Sequence, residues 1–338
     1  MQRDVLIDIT KGLGILLVVL AHTYSGGLQD IIYYFHMPLF FVLTGCALTY
    51  SKTNDTKWKR LFKGILVPYL VFSLIMFVYW SLIESKFRPI HDGNVIPWLS
   101  NIISFKTQQF VNIFIATDSQ NAFIYDIVLW YLPCLLMCRI LYSKINKTKY
   151  PLVGVTVLAC AGIVLSNILN IALPWCLELS FVALPFIYLG HQYYIKYKDF
   201  INKKNAVSYT LLGVVILFLL NTRTDISINM LGHDFAYGWI YLTAIVGSLT
   251  MLCMCYLLKD TAINKPLAFL GKNSLLIMCL HEPLKRIIIK ILSAVIGYDT
   301  DVLRGDFILS LIVVVVTVIL LLPCIYIINK WIPWAAGK

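Results

Sequence analysis

Ten apolar runs of about 20 residues, separated by polar connections, constrain what this chain can fold into. An α-helix of that length crosses a hydrocarbon core about 30 Å thick. Apolar residues make up 59% of the 338 and charged residues 13%, which leaves too little polar surface to cover the core of a soluble domain. We therefore predict an all-α, polytopic bundle of about ten transmembrane helices at residues 6–24, 31–50, 64–83, 123–142, 151–170, 174–194, 206–220, 235–258, 274–296 and 307–328.

Lysine and arginine are concentrated in every second connection. They follow the second, fourth, sixth and eighth apolar runs, and loops of that composition stay in the cytoplasm. An even number of spans then places both termini in the cytoplasm. The net charge of +11 is spread over these loops and does not form one basic module, so we predict contact with membrane lipids and no nucleic-acid partner.

The rest of the composition predicts one membrane-embedded domain over residues 1–338. The chain shows no internal repeat, low-complexity segment or linker. Asp4 and Asp8 lie at the start and no small-residue cleavage site follows the first apolar run, so that run is expected to remain as a helix. The nine cysteines lie in or at the ends of apolar runs without zinc-site spacing, which predicts small apolar core residues and no metal.

The first apolar run contains ionisable residues, which are expensive in a membrane and indicate function. Lys11 and His22 are eleven residues apart, which on an α-helix puts them on nearly the same face and roughly 16 Å apart along the axis. Asp8 lies three residues before Lys11, within pairing distance. One stripe of this helix is therefore predicted to carry charge at its start and an imidazole at its end.

Two histidines flank a short outward turn, Ser25 to Asp30. His22 precedes the turn and His36 follows it, so both are predicted in the outer half of the membrane on adjacent antiparallel helices. Two imidazoles that face each other across a hairpin suit acid/base chemistry or a proton relay. The alternative for each is a structural histidine whose polar atoms are satisfied by the fold.

The ninth apolar run is interrupted by charge. It has His281-Glu282-Pro283 near its middle, and Pro283 is expected to bend the helix by removing a backbone hydrogen bond. Three cations then continue towards the outer side against the positive-inside pattern, which favours the wall of a polar cavity over a lipid-facing helix: Lys285, Arg286 and Lys290. The other acids at membrane depth, Glu178 and Asp126, are also expected to face the interior.

Two connections leave alternatives open. The basic loop before the third run, which includes Lys57, Arg60 and Lys63, is predicted either to contact anionic lipids or to hold phosphates of a cytosolic cofactor. The long outward connection, residues 84–121, is predicted to contain either an interfacial helix at residues 97–105 or an ordinary aromatic belt.

Four of these places together resemble the bacterial acyltransferase-3 membrane proteins, which include polysaccharide and lipopolysaccharide O-acetyltransferases and fucose 4-O-acetylase-like proteins. Lys11 and His22 fit the family's basic-x10-His pattern. The other three similar segments are Phe35 to Phe41, Leu129 to Pro133 and Leu270 to His281. One motif departs: the family's Arg-x-x-Arg before the third helix is Arg60-x-x-Lys63 here, or less well Lys57-x-x-Arg60, and lysine cannot reproduce the bidentate grip of arginine.

The resemblance implies a membrane-bound O-acyltransferase of the bacterial cytoplasmic membrane. It would move an acyl group, in the first place acetyl, from cytosolic acyl-CoA to a sugar hydroxyl of a lipid-linked or cell-surface glycan. Some family members carry a C-terminal soluble esterase-like domain. None is expected here, so transfer would be direct or would use a separate partner protein.

On this reading the residues divide between the donor side and the acceptor side. His22 would be the general base, or alternatively an acyl-carrying nucleophile. The CoA phosphates would be held by Arg60, Lys63, Lys57 and Lys11, with Asp8 positioning Lys11. The reaction chamber would be lined by His36, Trp130, Tyr131, His281, Glu282 and Glu178.

A different class of protein also has buried ionisable residues and a broken helix. Transporters and flippases of lipid-linked or polar substrates use both along a translocation path. Their folds are commonly built from inverted or parallel repeats, and this sequence shows neither.

Overall fold

The computed structural model describes residues 4–49, 58–87, 95, 104–117, 122–196, 198–220 and 237–338. In these ranges every regular element is a helix. Eight helical segments are long and apolar enough to cross a membrane: Val5–Thr23, Gly27–Leu48, Trp58–Glu84, Ile127–Ile145, Pro151–Ile168, Lys203–Leu220, Trp239–Leu258 and Phe307–Trp331. The prediction of a polytopic, all-helical membrane protein is therefore confirmed.

The chain forms two compact units. The first unit consists of Met1–Asn54 and Ala183–Leu322. Its helices are α1 (Val5–Thr23), α2 (Gly27–Tyr33), α3 (His36–Leu48), most of α8 (Leu177–Lys196), α9 (Lys203–Leu220), α10 (Tyr237–Leu258), α11 (Asn264–Lys272), α12 (Ser274–Ile296), α13 (Thr300–Gly305) and most of α14 (Phe307–Trp331).

The second unit consists of Asp55–Val182 and Pro323–Lys338. Its helices are α4 (Trp58–Glu84), α5 (Phe105–Ile115), α6 (Tyr131–Ile145) and α7 (Pro151–Ile168), together with the start of α8 and the end of α14.

Helix α1 packs against α11 through backbone contact. A Cβ atom on Gly12 would lie 1.9 Å from the carbonyl oxygen of Leu267, and one on Gly271 would lie 1.8 Å from the carbonyl oxygen of Asp8. Only glycine permits an approach this close. The two glycines, one on each helix, therefore hold the inner part of α1 tightly against its neighbour.

The predicted second span, residues 31–50, is two helices. Helix α2 ends at Tyr33 and α3 begins at His36. The backbone breaks at Phe35, which has φ −135° and ψ −14°, and the Phe35 side chain packs so closely on Gly247 of α10 that a Cβ there would lie 2.4 Å away. This break sets the direction in which His36 leaves the chain.

Helix α12 has the bounds predicted for the ninth span and continues through Pro283. It is long enough to cross a membrane, but its four charged residues distinguish it from the eight apolar segments. In the sequence this was the helix expected to face a polar cavity.

In the second unit, helix α5 of the long outward connection packs along α4. The rings of Phe110 and Phe77 have centroids 5.5 Å apart, and the Tyr69 hydroxyl donates to the carbonyl oxygen of Ile113 at 2.8 Å. The interfacial helix predicted at residues 97–105 lies almost wholly outside the described residues.

Candidate active site

The C-terminal end of α1 places His22 beside a buried carboxylate. His22 Nδ1 lies 3.4 Å from Glu282 Oε1 of α12, and the two side chains are 15% and 3% exposed. A carboxylate next to Nδ1 favours the tautomer with the proton on that nitrogen. Nε2 of His22 is then the basic nitrogen, on a ring that keeps access to its surroundings.

The negative charge of Glu282 is balanced from its own helix. Lys285 Nζ lies 2.7 Å from Glu282 Oε1, and Arg286 Nε lies 3.2 Å from Oε2. Lys285 Nζ also donates to the backbone carbonyl oxygen of His22 at 2.7 Å. Two of the three cations that break the positive-inside pattern therefore stabilise the carboxylate that faces His22.

Two further histidines approach the His22 ring. The ring centroids of His36 and His281 lie 6.2 and 5.7 Å from that of His22. His36 Nδ1 lies 3.1 Å from the carbonyl oxygen of Ile32, and His281 Nδ1 lies 2.8 Å from that of Met278. Because a carbonyl oxygen only accepts, both rings carry a proton on Nδ1, and in the neutral ring Nε2 accepts.

His281 is the most enclosed of the three imidazoles. It is fully buried, and its Nε2 has no hydrogen-bond partner among the described residues. That nitrogen lies 3.9 Å from Glu282 Oε1. Three imidazoles and one carboxylate thus occupy one small site, of which the sequence motifs had indicated every member.

Three neighbours of this site were missed from the sequence. The Tyr33 ring has its centroid 5.8 Å from that of His22, and its hydroxyl donates to the Ala21 carbonyl oxygen at 3.2 Å, as does Gln29 Nε2 at 2.7 Å. Gln29 lies in a stretch whose sequence predicts only a turn, and no sequence pattern indicates a functional role for Tyr33. Arg304 of α13 donates from Nε to the Thr23 carbonyl oxygen at 3.2 Å, and its signal was an arginine on an outward connection.

Ligand atoms of His22, His281 and Glu282 lie within 4.8 Å of one another. Small shifts of these side chains would bring the atoms to the distances of a metal site. Both Glu282 oxygens are already paired with side-chain cations, and a divalent ion at Oε1 would have to displace Lys285. The donor set therefore suits proton transfer better than metal binding.

The N-terminal half of α1 carries the other two predicted residues. Asp8 is buried and Lys11 is half-buried. The straight path of α1 keeps Lys11 roughly 16 Å from the His22 end. Their pairing with each other stays a prediction.

The remaining predicted residues belong to the second unit. Arg60 and Lys63 are exposed at the start of α4, and Lys57 lies outside the described residues. Trp130 and Tyr131 are buried where α6 begins. Two acids complete the set: Asp126 and Glu178, both buried, the latter accepting from the Leu173 amide at 2.8 Å.

Arg139 of α6 was also missed from the sequence. It is half-buried, its Nε is enclosed without a hydrogen-bond partner among the described residues, and its charge is close enough to Arg60 to be repelled. Two guanidinium groups held near each other favour an anion that binds both. An arginine near the cytoplasmic end of a predicted span was the available signal.

No curated protein and no solved structure gives a significant match to this chain. A family model described as an acyltransferase domain, Acyl_transf_3, matches residues 4–330. That range contains nearly all of both units and every residue of the His22 site. The chain therefore belongs to the acyltransferase-3 family and is a multi-pass membrane acyltransferase.

Proposed function

We propose that this enzyme transfers an acyl group, in the first place acetyl, from cytosolic acyl-CoA to a sugar hydroxyl of a lipid-linked or cell-surface glycan. The membrane would be the bacterial cytoplasmic membrane. The observation that carries the proposal is the approach of His22 Nδ1 to the buried Glu282 carboxylate at 3.4 Å. This pairing prepares an imidazole to act as general base at the outer end of the helix.

The reaction needs one proton to move twice. His22 Nε2 takes the proton of the acceptor hydroxyl as its oxygen attacks the thioester carbonyl carbon. The new C–O bond forms, the C–S bond breaks, and the thiolate of CoA takes the proton back from the imidazolium. Glu282 stays ionised and stabilises the imidazolium between these steps, as a buried carboxylate does in a catalytic triad.

Lysine and arginine side chains are proposed to bind the acyl-CoA donor. Arg60 and Lys63 on α4, with Arg139 on α6, form a basic group in the second unit that suits CoA phosphates. Lys57 remains a candidate from the sequence alone. Lys11, positioned by Asp8, is likewise a candidate for the CoA phosphates from the sequence.

The other histidines and aromatic residues would shape the chamber. The imidazole rings of His36 and His281 lie next to the His22 ring. Each donates its Nδ1 proton to a backbone carbonyl oxygen. Trp130, Tyr131 and Glu178 remain candidates for the acceptor side from the sequence alone. A covalent acyl-histidine on His22 is the alternative mechanism, and a trapped acyl-enzyme would distinguish it from base catalysis.

The test compares acetyl transfer by purified wild-type enzyme with that by His22→Ala, using acetyl-CoA and glycan from the native membrane. We expect a loss on the order of a hundredfold or more in kcat, because general base catalysis contributes at least that much. Acetyl-CoA binding by the variant serves as the control for folding. Equal turnover of both proteins would refute the role of His22, and glycan transport without acyl transfer would support a transporter instead.

A further inference from the structure

We propose that Arg304 and Lys285 are positioning residues that fix His22 by capping the open end of α1. This inference rests on the proposed function for the catalytic role of His22. The capping itself is a property of the fold, because it is made to the backbone of residues 22 and 23 and to no catalytic atom.

The last four carbonyl groups of an α-helix have no partner within it. In α1 the Leu20 carbonyl still accepts within the helical pattern, from the amide of the C-cap residue Tyr24 at 2.8 Å, and the next three carbonyls accept from other elements. Ala21 accepts from Gln29 and Tyr33 of α2. The last two carbonyls accept from cations on two other elements: His22 from Lys285 Nζ at 2.7 Å and Thr23 from Arg304 Nε at 3.2 Å.

The choice of cations has an electrostatic reason. The C-terminus of a helix carries a partial negative charge, and cations there are stabilising, most of all in partly buried geometry. An unsatisfied carbonyl at membrane depth costs several kcal/mol. Lys285 is buried and Arg304 half-buried, so water is largely excluded as a substitute partner.

Each of these two residues makes two hydrogen bonds at the end of α1. Lys285 Nζ binds the His22 carbonyl oxygen and Glu282 Oε1, both at 2.7 Å, so the backbone of His22 and the carboxylate that faces its ring are held by one ammonium group. The side chain of Arg304 donates from Nε to the Thr23 carbonyl oxygen, and its backbone carbonyl oxygen accepts from the Ser25 amide at 2.8 Å. The final turn of α1 is thereby held in register with α12 and α13.

The first experiment measures kinetics of purified Arg304→Met, Arg304→Lys and wild type with acetyl-CoA and native glycan. We expect Arg304→Met to lower kcat on the order of tenfold or more, because small misplacement of a catalytic group is costly. The KM for acetyl-CoA should stay unchanged, and Arg304→Lys should recover most of the loss. Lys265→Gln removes an exposed cation from α11, to which no role is assigned, and is the control. Wild-type kcat in Arg304→Met would overturn the inference.

The second experiment reads the His22 ring directly, without activity. In protein labelled with ¹⁵N-histidine, the His22 signals, assigned by their loss in His22→Gln, report which ring nitrogen holds the proton. Wild type and Arg304→Lys should show the proton on Nδ1, and Arg304→Met a mixture of tautomers. Unchanged signals in Arg304→Met would overturn the positioning role. A shifted His22 signal together with full activity of His22→Ala would refute only the proposed base.

Discussion

At the scale of single residues, the site depends on one buried carboxylate with more than one function. Glu282 faces His22, and it also neutralises Lys285 and Arg286. Removing one member of a buried ion pair leaves an uncompensated charge, whereas removing both members is often nearly neutral. Stability and activity should therefore respond differently to changes at this cluster.

Replacing Glu282 tests this separation. We expect Glu282→Gln to lower the free energy of unfolding by about 3–5 kcal/mol, because Lys285 loses its counter-charge, and to lower turnover as well. The double variant Glu282→Gln, Lys285→Met should regain part of the stability but not the turnover, because it removes the unpaired charge but leaves the His22 carbonyl without its donor. Thermal unfolding and acetyl transfer of the same preparations measure the two effects. Recovery of both in the double variant would show that Glu282 is only structural.

Arg139 gives a second prediction at this scale. If Arg139 and Arg60 hold the donor phosphates, Arg139→Met removes a charge-assisted hydrogen bond worth about 1.5–3 kcal/mol, which weakens acetyl-CoA binding about tenfold or more. Lys144→Met, an exposed cation later on the same helix, should bind like wild type. Isothermal titration with acetyl-CoA measures both. Equal affinities in the two variants would remove Arg139 from the donor site.

At the scale of the helix, close backbone packing holds α1 in place. Helix α1 is fixed in its N-terminal half by Gly12 and Gly271 against α11, and at its C-terminal end by side chains from α2, α12 and α13. The helix that carries Lys11 and His22 is thus fixed along both halves.

Adding one methyl group should loosen the inner contact. We expect Gly271→Ala to destabilise the protein by about 1–3 kcal/mol or more, since the new Cβ would meet the Asp8 backbone, which cannot move aside as a side chain can. Gly64→Ala is the control, because a Cβ there meets nothing within 4 Å. A lower unfolding temperature for Gly271→Ala than for Gly64→Ala is the expected result, and equal temperatures would contradict it.

At the scale of the whole molecule, charge distribution predicts how the chain crosses the membrane. The end of α6 and the connection to α7 are basic and exposed, with Lys144 in the last turn of the helix and Lys147 and Lys149 after it. The connection between α12 and α13 turns through Gly297 in left-handed geometry and carries no lysine or arginine before Arg304. The first should be cytoplasmic and the second outside.

Reporter fusions check this orientation. A fluorescent protein fused after Lys147 should fluoresce and an alkaline phosphatase there should be inactive, because the junction is cytoplasmic. A fusion after Gly297 should give the reverse. Phosphatase activity at Lys147 would invert the topology and place the His22 site on the cytoplasmic side.

The sequence determined the membrane class, the bounds of several helices and the central residues of the site. Hydrophobic length is a local property, so α12 had its predicted bounds, while the break between α2 and α3 depends on the contact of Phe35 with Gly247 and was not visible. His22, His36, His281 and Glu282 stood out because ionisable residues in apolar runs are costly.

The tertiary structure decided which of these residues meet and what holds them. The contact of Glu282 with His22 joins helices more than 250 positions apart in the chain, and no periodicity predicts such a distance. Arg304 and Gln29 looked like ordinary loop residues because their role is to satisfy carbonyl groups of another helix, a need that exists only once the chain is folded. Local pattern thus revealed the costly residues, and long-range packing supplied the partners that stabilise them.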